Sequence, residues 1–231
     1  MPAFEILTGS ALGSLLGMRH ALEPDHLTAV STLVTGERSS ARAAMLGAFW
    51  GLGHTLSLVV VGAVLVLLRA EMPARVADLF EMGVAIMLVG LCIRAIVLAV
   101  RQGPAGPTHT HHHGHVVHRH AGVTPHVHVG RWTLARRPLL VGAVHGLAGS
   151  GALTALVLAT LTSTAARITY MSLFGIGSTV GMAALSGLLG WPLAKIGANG
   201  TVMRALSVAV GCLSIGLGVF WGYPLASHLL G

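Results

Sequence analysis

The chain has 231 residues, of which 54% are hydrophobic and only 9% are charged. Soluble domains carry charged residues at roughly 25%, so this composition excludes an ordinary water-soluble domain and indicates an integral membrane protein with the lipid bilayer as its main partner. The formal charge of +7 comes from arginines scattered singly between apolar runs. A nucleic-acid-binding surface would cluster them with aromatic residues, so no nucleic acid is expected as a partner.

Six apolar runs, each long enough to cross a hydrocarbon core of about 30 Å as a helix, predict six transmembrane spans. They lie at 6–34, 43–69, 78–101, 138–163, 168–192 and 202–228. No basic region precedes the first run, so we expect it to remain in the mature protein rather than to be cleaved as a signal peptide. The predicted fold class is therefore an all-α, polytopic membrane protein.

The first span contains a cluster of ionisable residues, which run as Arg19-His20-Ala21-Leu22-Glu23-Pro24-Asp25-His26. Each such group costs about 2.5–3.5 kcal/mol at the centre of a membrane helix, and groups found there usually serve a function. Pro24 lacks an N–H and disturbs the preceding turn, so it predicts a kink or an unwound stretch. Such a break would turn His20, Asp25 and His26 toward one point, whereas a straight helix would place them on different faces.

The ligand types in this cluster indicate the metal. Imidazole with carboxylate suits nickel, cobalt, zinc or copper, whereas magnesium and calcium take mainly oxygen. His54 of the second span, between Gly53 and Thr55, is predicted to supply a further imidazole, although a core histidine bonded to a carbonyl is the alternative. Glu23 is either a ligand or proton carrier or, as we favour, the partner of Arg19 at i, i+4.

The segment 102–137 is rich in glycine and proline and is predicted to be a flexible, solvated loop without a packed core. It should bind several borderline metal ions weakly and so buffer or deliver them. It holds nine of the fourteen histidines: His109, His111, His112, His113, His115, His118, His120, His126 and His128.

The two halves of the chain resemble each other. Residues 17–22 of the first span match 142–147 of the fourth, and 51–55 of the second match 175–179 of the fifth. Because a repeat with three spans must reverse its direction, we predict two inverted three-helix halves, 1–101 and 138–231, with the site near the midplane. His145 takes the place of His20 and is a further candidate ligand. Ser178 takes the place of His54 and is interpreted as a packing hydroxyl.

Loop charge predicts the orientation, because the cytoplasmic side carries the excess of Lys and Arg. One side holds nine and the other three, which places the 102–137 loop in the cytoplasm and both termini outside it, in the cell (inner) membrane. The nine are Arg38, Arg42, Arg101, Arg119, Arg131, Arg136, Arg137, Lys195 and Arg204, and the three are Arg69, Arg75 and Arg167.

The run from His20 to His26 resembles the H-x4-D-H signature of the nickel/cobalt transporter family, and Leu52-Gly53-His54-Thr55 is similar to the histidine motif of its next helix. The likeness is to the shorter branch that includes urease-accessory and hydrogenase-associated membrane proteins. It implies a permease for Ni²⁺ or Co²⁺ with metal-handling residues His20, Asp25, His26 and His54, and with cytoplasmic metallochaperones as partners. Longer members carry the signature in their second span, whereas this chain carries it in the first.

The expected function is thus uptake of a transition-metal ion, with no tightly bound cofactor and no enzymatic reaction. Efflux and a membrane accessory protein that binds metal without moving it remain alternatives. Intramembrane thiol redox chemistry would need paired cysteines in the first and fourth spans. Cys92 and Cys212 fall in the third and sixth spans and are interpreted as small core residues.

Overall fold

A computed structural model describes residues 2–35, 37, 39–68, 72–101, 108–113, 116–121, 127–129, 132–134, 136–148, 163–196 and 200–230. Within these residues the chain forms seven α-helices. They are α1 (Pro2–His20), α2 (Pro24–Val34), α3 (Ser40–Leu68), α4 (Ala74–Arg101), α5 (Arg136–His145), α6 (Thr164–Ile196) and α7 (Gly200–Leu230).

Four helices in the described part of the chain are long and apolar enough to cross a membrane. They are Ser40–Leu65 of α3, Ala74–Val97 of α4, Thr164–Leu193 of α6 and Arg204–Leu229 of α7, with mean hydropathies between 1.5 and 2.1. They coincide with the second, third, fifth and sixth predicted spans. The chain is therefore a multi-pass helical membrane protein.

The other two predicted spans are not single long helices. The first, 6–34, is divided between α1 and α2. The fourth, 138–163, begins with α5 and a turn at 146–148, and residues 149–162 lie outside the described part of the chain.

The division of the first span falls at Pro24. The helix α1 ends at His20, and the backbone N–H groups of Leu22 and Glu23 donate to the carbonyls of Arg19 and His20 at 2.9 and 3.1 Å. The helix α2 then begins with Pro24 in its first turn and with Glu23 as its extended N-cap residue. Proline favours this position because a helix does not use the first N–H groups. The predicted break is confirmed.

Helices from the two halves pack against each other at glycines. The helix α1 lies along α6, and α3 lies against both α5 and α6. A Cβ added to Gly17 would collide with the carbonyl of Phe174, and one added to Gly53 would collide with that of Leu139. Small residues thus allow these backbones to approach closely, as is common in membrane helix packing.

The short helix α2 is enclosed by the longer ones. Val30 of α2 packs in one apolar cluster with Trp50 of α3, Leu88 of α4 and Met182 of α6, and all four are buried. The second half of α2 is therefore packed inside the helix bundle.

The 102–137 segment differs from the prediction of a chain with helices alone. It contains two antiparallel hairpins, β1 (Thr108–His113) with β2 (Val116–Ala121), and β3 (Val127–Val129) with β4 (Trp132–Leu134). In the first, His109 is paired with His120 and His111 with His118. Threonine and valine recur among these histidines, and their β-branched side chains favour extended strands.

Candidate metal site

Four buried histidines meet where the chain breaks in the first span. His20 is the last residue of α1, His26 lies in the first turn of α2, His54 is central in α3 and His145 ends α5. Their side chains are only 3%, 0%, 0% and 1% exposed. Buried polar groups need partners, and each of these imidazoles finds one in another member of the group or in a carboxylate.

Three of the imidazoles direct their Nε2 atoms toward one another. The Nε2 of His54 lies 3.2 Å from that of His20 and 3.4 Å from that of His26. Two nitrogens bound to one metal ion at about 2.1 Å, at angles of about 90–110°, lie about 3.0–3.4 Å apart. The three-histidine cluster (His20, His26 and His54) therefore has the spacing of a shared ligand set, and its donor atoms all lie within 4.8 Å of one another.

A carboxylate stands behind each of two of these rings. The Nδ1 of His20 lies 3.0 Å from Oε2 of Glu23, and the Nδ1 of His26 lies 3.0 Å from Oδ1 of Asp25, although the His26 contact lacks the geometry of a hydrogen bond. A neutral imidazole carries one N–H, and a carboxylate at Nδ1 attracts it to that nitrogen, which leaves Nε2 with a lone pair. Metal-binding histidines are commonly oriented in this way. When ionised, the two carboxylates give the site a formal charge of −2, opposite to that of a divalent ion.

The predicted pairing of Glu23 with Arg19 is wrong, because the structure pairs Glu23 with His20 instead. Spacing of i, i+4 brings two side chains together only on a continuous helix. Here α1 ends at His20, so Glu23 lies beyond the helix that carries Arg19. Arg19 itself is exposed.

Asp25 also reaches His145. Its Oδ2 lies 2.7 Å from Nε2 of His145, while its Oδ1 faces His26. Asp25, His26 and His145 make a second group whose donor atoms lie within 4.8 Å of one another. The structure therefore brings all the predicted residues of the helices together, but it divides them between two groups that share His26.

The break explains this convergence. On a straight helix the side chains of His20 and His26 would point about 120° apart around the axis, whereas here their ring centroids are 4.2 Å apart with the rings edge to face. Both rings belong to segments that meet at the turn formed by residues 21–23. The predicted role of Pro24 in gathering the ligands agrees with this geometry.

Two aromatic residues that the sequence analysis did not single out line the site. The ring centroid of Trp50 is 5.3 Å from that of His26 and 5.5 Å from that of His145, and Phe174 is 5.5 Å from His20. Trp50 precedes His54 by four residues, so helical spacing would have placed it on the same face. Ser178, interpreted as a packing hydroxyl, is buried and faces Met182 at 4.0 Å.

None of the loop histidines that the structure describes belongs to the three-histidine cluster. The strands β1, β2 and β3 include His109, His111, His112, His113, His118, His120 and His128. His115 and His126 lie outside the described residues. A metal-buffering role for this segment remains a prediction.

Comparison with known proteins places these motifs in a family. A family model described as a high-affinity nickel-transport protein (NicO) matches residues 7–220. The urease accessory protein UreH of Bacillus sp. (strain TB-90) is 30% identical over 226 residues, which cover 97% of this chain and 95% of that protein. The chloroplast protein FOR GROWTH AND FERTILITY 2 of Arabidopsis thaliana is 27% identical over 188 residues, covering 80% of this chain and 48% of the relative. No solved structure matches the chain.

Proposed function

Because the chain belongs to the NicO family of high-affinity nickel-transport proteins, it is a transporter rather than an enzyme, and we propose that it takes up Ni²⁺ or Co²⁺ through the three-histidine cluster. The resemblance drawn from the H-x4-D-H run is confirmed by this membership. Nickel transport is the function of the family. Cobalt as a second substrate, the inward direction and the residues that handle the ion belong to the proposal.

The observation that carries the proposal is the direction of three Nε2 atoms. If the carboxylates of Glu23 and Asp25 hold Nδ1–H on His20 and His26, both Nε2 atoms present lone pairs to His54. A single N–H on His54 can satisfy only one of them well. A divalent ion would satisfy all three, and imidazole suits nickel and cobalt. Glu23 and Asp25 then act on the ion through the rings that they orient.

The contacts between the halves support the proposed inverted repeat. In α1, a Cβ on Gly17 would collide with the backbone of Phe174 in α6. In α5, a Cβ on Gly142, the repeat equivalent of Gly17, would collide with the backbone of Trp50 in α3. Phe174 precedes Ser178 by four residues, just as Trp50 precedes His54, so the two contacts join equivalent positions.

A second pair of contacts follows the same rule. A Cβ added to Gly53 of α3 would collide with the carbonyl oxygen of Leu139 in α5. A Cβ added to the equivalent Gly177 of α6 would lie 2.5 Å from the carbonyl oxygen of Ser14 in α1. Leu139 lies three residues before Gly142, and Ser14 lies three residues before Gly17, so the two contacts again join equivalent positions. Such reciprocal contacts are expected of two inverted three-helix halves. Two such halves make six spans, and many secondary transporters that work by alternating access are built in this way.

The charge of the loops indicates which side of the membrane each loop and each terminus faces. With nine of the loop cations on one side, the 102–137 loop lies in the cytoplasm, both termini lie outside it, and the membrane is the cell (inner) membrane. Histidines of the loop would then receive the ion after passage and pass it to cytoplasmic metallochaperones. The name of the Bacillus relative, urease accessory protein, fits delivery to a nickel enzyme.

Uptake of radioactive nickel and cobalt into proteoliposomes tests the proposal. We expect the wild type and His228→Ala, a change in an exposed histidine of α7, to accumulate the ion, and His20→Ala to lose at least nine-tenths of the rate. Intact cells that lose preloaded nickel faster with the protein than without it would indicate efflux. Tight binding without movement in any preparation would indicate an accessory protein.

A further inference from the structure

We propose that Asp25, His26 and His145 form a second metal station, adjacent to the three-histidine cluster, through which the ion passes between the two halves of the protein. The inference rests on the proposed function, because a station matters only if the ion moves. It assigns a direct metal-binding role to His145 and to the carboxylate of Asp25.

The second station has the composition of a mixed ligand set, and without an ion its carboxylate and its second imidazole form a hydrogen bond that an entering ion would replace. Asp25 presents Oδ2 to Nε2 of His145 at 2.7 Å and Oδ1 to Nδ1 of His26 at 3.0 Å. The two imidazole centroids are 4.4 Å apart. Two imidazoles and one carboxylate, with donor atoms within 4.8 Å of one another, are a donor set that first-row divalent transition metals favour.

His145 is buried to the same degree as the members of the three-histidine cluster. Its side chain is 1% exposed, and in the part of the chain that the structure describes its Nδ1 has no hydrogen-bond partner. Trp50 lies against the ring on one side. The carboxylate of Asp25 contacts this imidazole, so a cation between them would be desolvated and held by opposite charge.

His26 belongs to both groups and offers a different nitrogen to each. Its Nε2 faces His54, and its Nδ1 faces Asp25. A neutral imidazole has one lone-pair nitrogen at a time, so the ring serves either the three-histidine cluster or the second station. Electrostatic repulsion between two divalent ions bound to one ring would also prevent both groups from being occupied at once. One ion therefore moves from one side of His26 to the other.

The two stations differ in how they depend on the halves. His20, His26 and His54 all belong to the 1–101 half of the sequence, although the helices α1 and α3, which carry two of them, pack mainly on α6 of the other half. The second station takes Asp25 and His26 from that half and His145 from the other. Movement between the halves would assemble or open it. This property suits a station at which the ion changes sides.

A gain-of-signal experiment isolates the second station. The starting protein is the full chain with the nine loop histidines changed to Ser, Cys92 and Cys212 changed to Ala, and His20 and His54 changed to Gln. Adding His145→Cys and then Co²⁺ should produce the intense near-ultraviolet absorption of a thiolate bound to cobalt, at one equivalent per chain. The same protein with His228→Cys, whose thiol would lie on the exposed face of α7, should show none.

Absence of the band from a folded, monodisperse His145→Cys protein would overturn the proposal. A second measurement covers the case in which that protein does not fold. His145→Ala alone should bind Co²⁺ within about tenfold of the wild type, since the three-histidine cluster remains, yet it should transport nickel more than tenfold more slowly. Unchanged transport would also overturn the station. If the band appears but the wild type moves no metal, the station stands and the transport proposal fails.

Discussion

Replacing the two carboxylates separately should show that they orient the histidines, and to different extents. Glu23 contacts one ring and is 39% exposed, whereas Asp25 contacts two rings and is 14% exposed. Loss of an outer carboxylate typically lowers metal affinity 10–100-fold. Solvent weakens the Glu23 contact, so Glu23→Gln should lower the affinity for Ni²⁺ about tenfold, a loss of about 1.4 kcal/mol. Asp25→Asn should lower the affinity for Ni²⁺ about a hundredfold, a loss of about 2.7 kcal/mol.

The assay is equilibrium binding of Ni²⁺ to the purified chain in detergent, with the nine loop histidines replaced by Ser so that only the helices bind. Glu81→Gln is the matched control, because Glu81 is an exposed carboxylate on α4 away from the histidines. Its affinity should equal that of the parent. Equal losses for Glu23→Gln and Asp25→Asn, or a larger loss for Glu23→Gln, would refute the reasoning from exposure and contact number.

Three further changes test the packing, the break and the loop. Gly142→Ala should destabilise the protein by about 1–3 kcal/mol, because the new methyl meets the Trp50 carbonyl, whereas Gly90→Ala, with open space around it, should leave the thermal unfolding midpoint unchanged; equal midpoints would contradict the close approach. Pro24→Ala restores an N–H that can extend α1, so nickel affinity should fall at least tenfold while helix content stays equal or rises; unaltered affinity would show that the break does not gather the ligands. Replacing the nine loop histidines by Ser should remove the weakly bound ions and keep the tight ones, as counted by metal analysis after dialysis, and loss of the tight ions would place the main site in the loop.

The break in the first span was predictable because its cause is local. Pro24 lacks an N–H whatever surrounds it, and the ionisable residues beside it already marked the stretch as functional. The metal preference followed in the same way from ligand chemistry. Four of the predicted spans required only length and hydropathy, which the helices α3, α4, α6 and α7 match.

The division of the ligands into two groups was not predictable, because it depends on packing between distant helices. His145 reaches Asp25 only because α5 lies against α3, where glycines let the backbones touch. The sequence pattern could place His145 in the repeat but gave it no acidic neighbour. The partner of Glu23 was missed for a related reason: the i, i+4 rule assumes a helix that the adjacent proline had ended.

The strands of the loop follow from the order of its residues and not from its composition. Glycine and proline predicted a linker, yet threonine or valine is interspersed with histidine in the short runs between them. Runs of this kind pair readily when two of them are separated by two residues, as β1 and β2 are.

X-ray absorption at the nickel edge tests the central claim most directly. On the chain with the loop histidines replaced by Ser, loaded with one equivalent of Ni²⁺, the account predicts a shell containing three imidazole nitrogens at about 2.0–2.1 Å, and one imidazole fewer in His54→Ala. The His228→Ala spectrum should match that of the parent. A shell of oxygen ligands without imidazole, or a spectrum that His54→Ala leaves unchanged, would contradict the claim that the three-histidine cluster holds the ion.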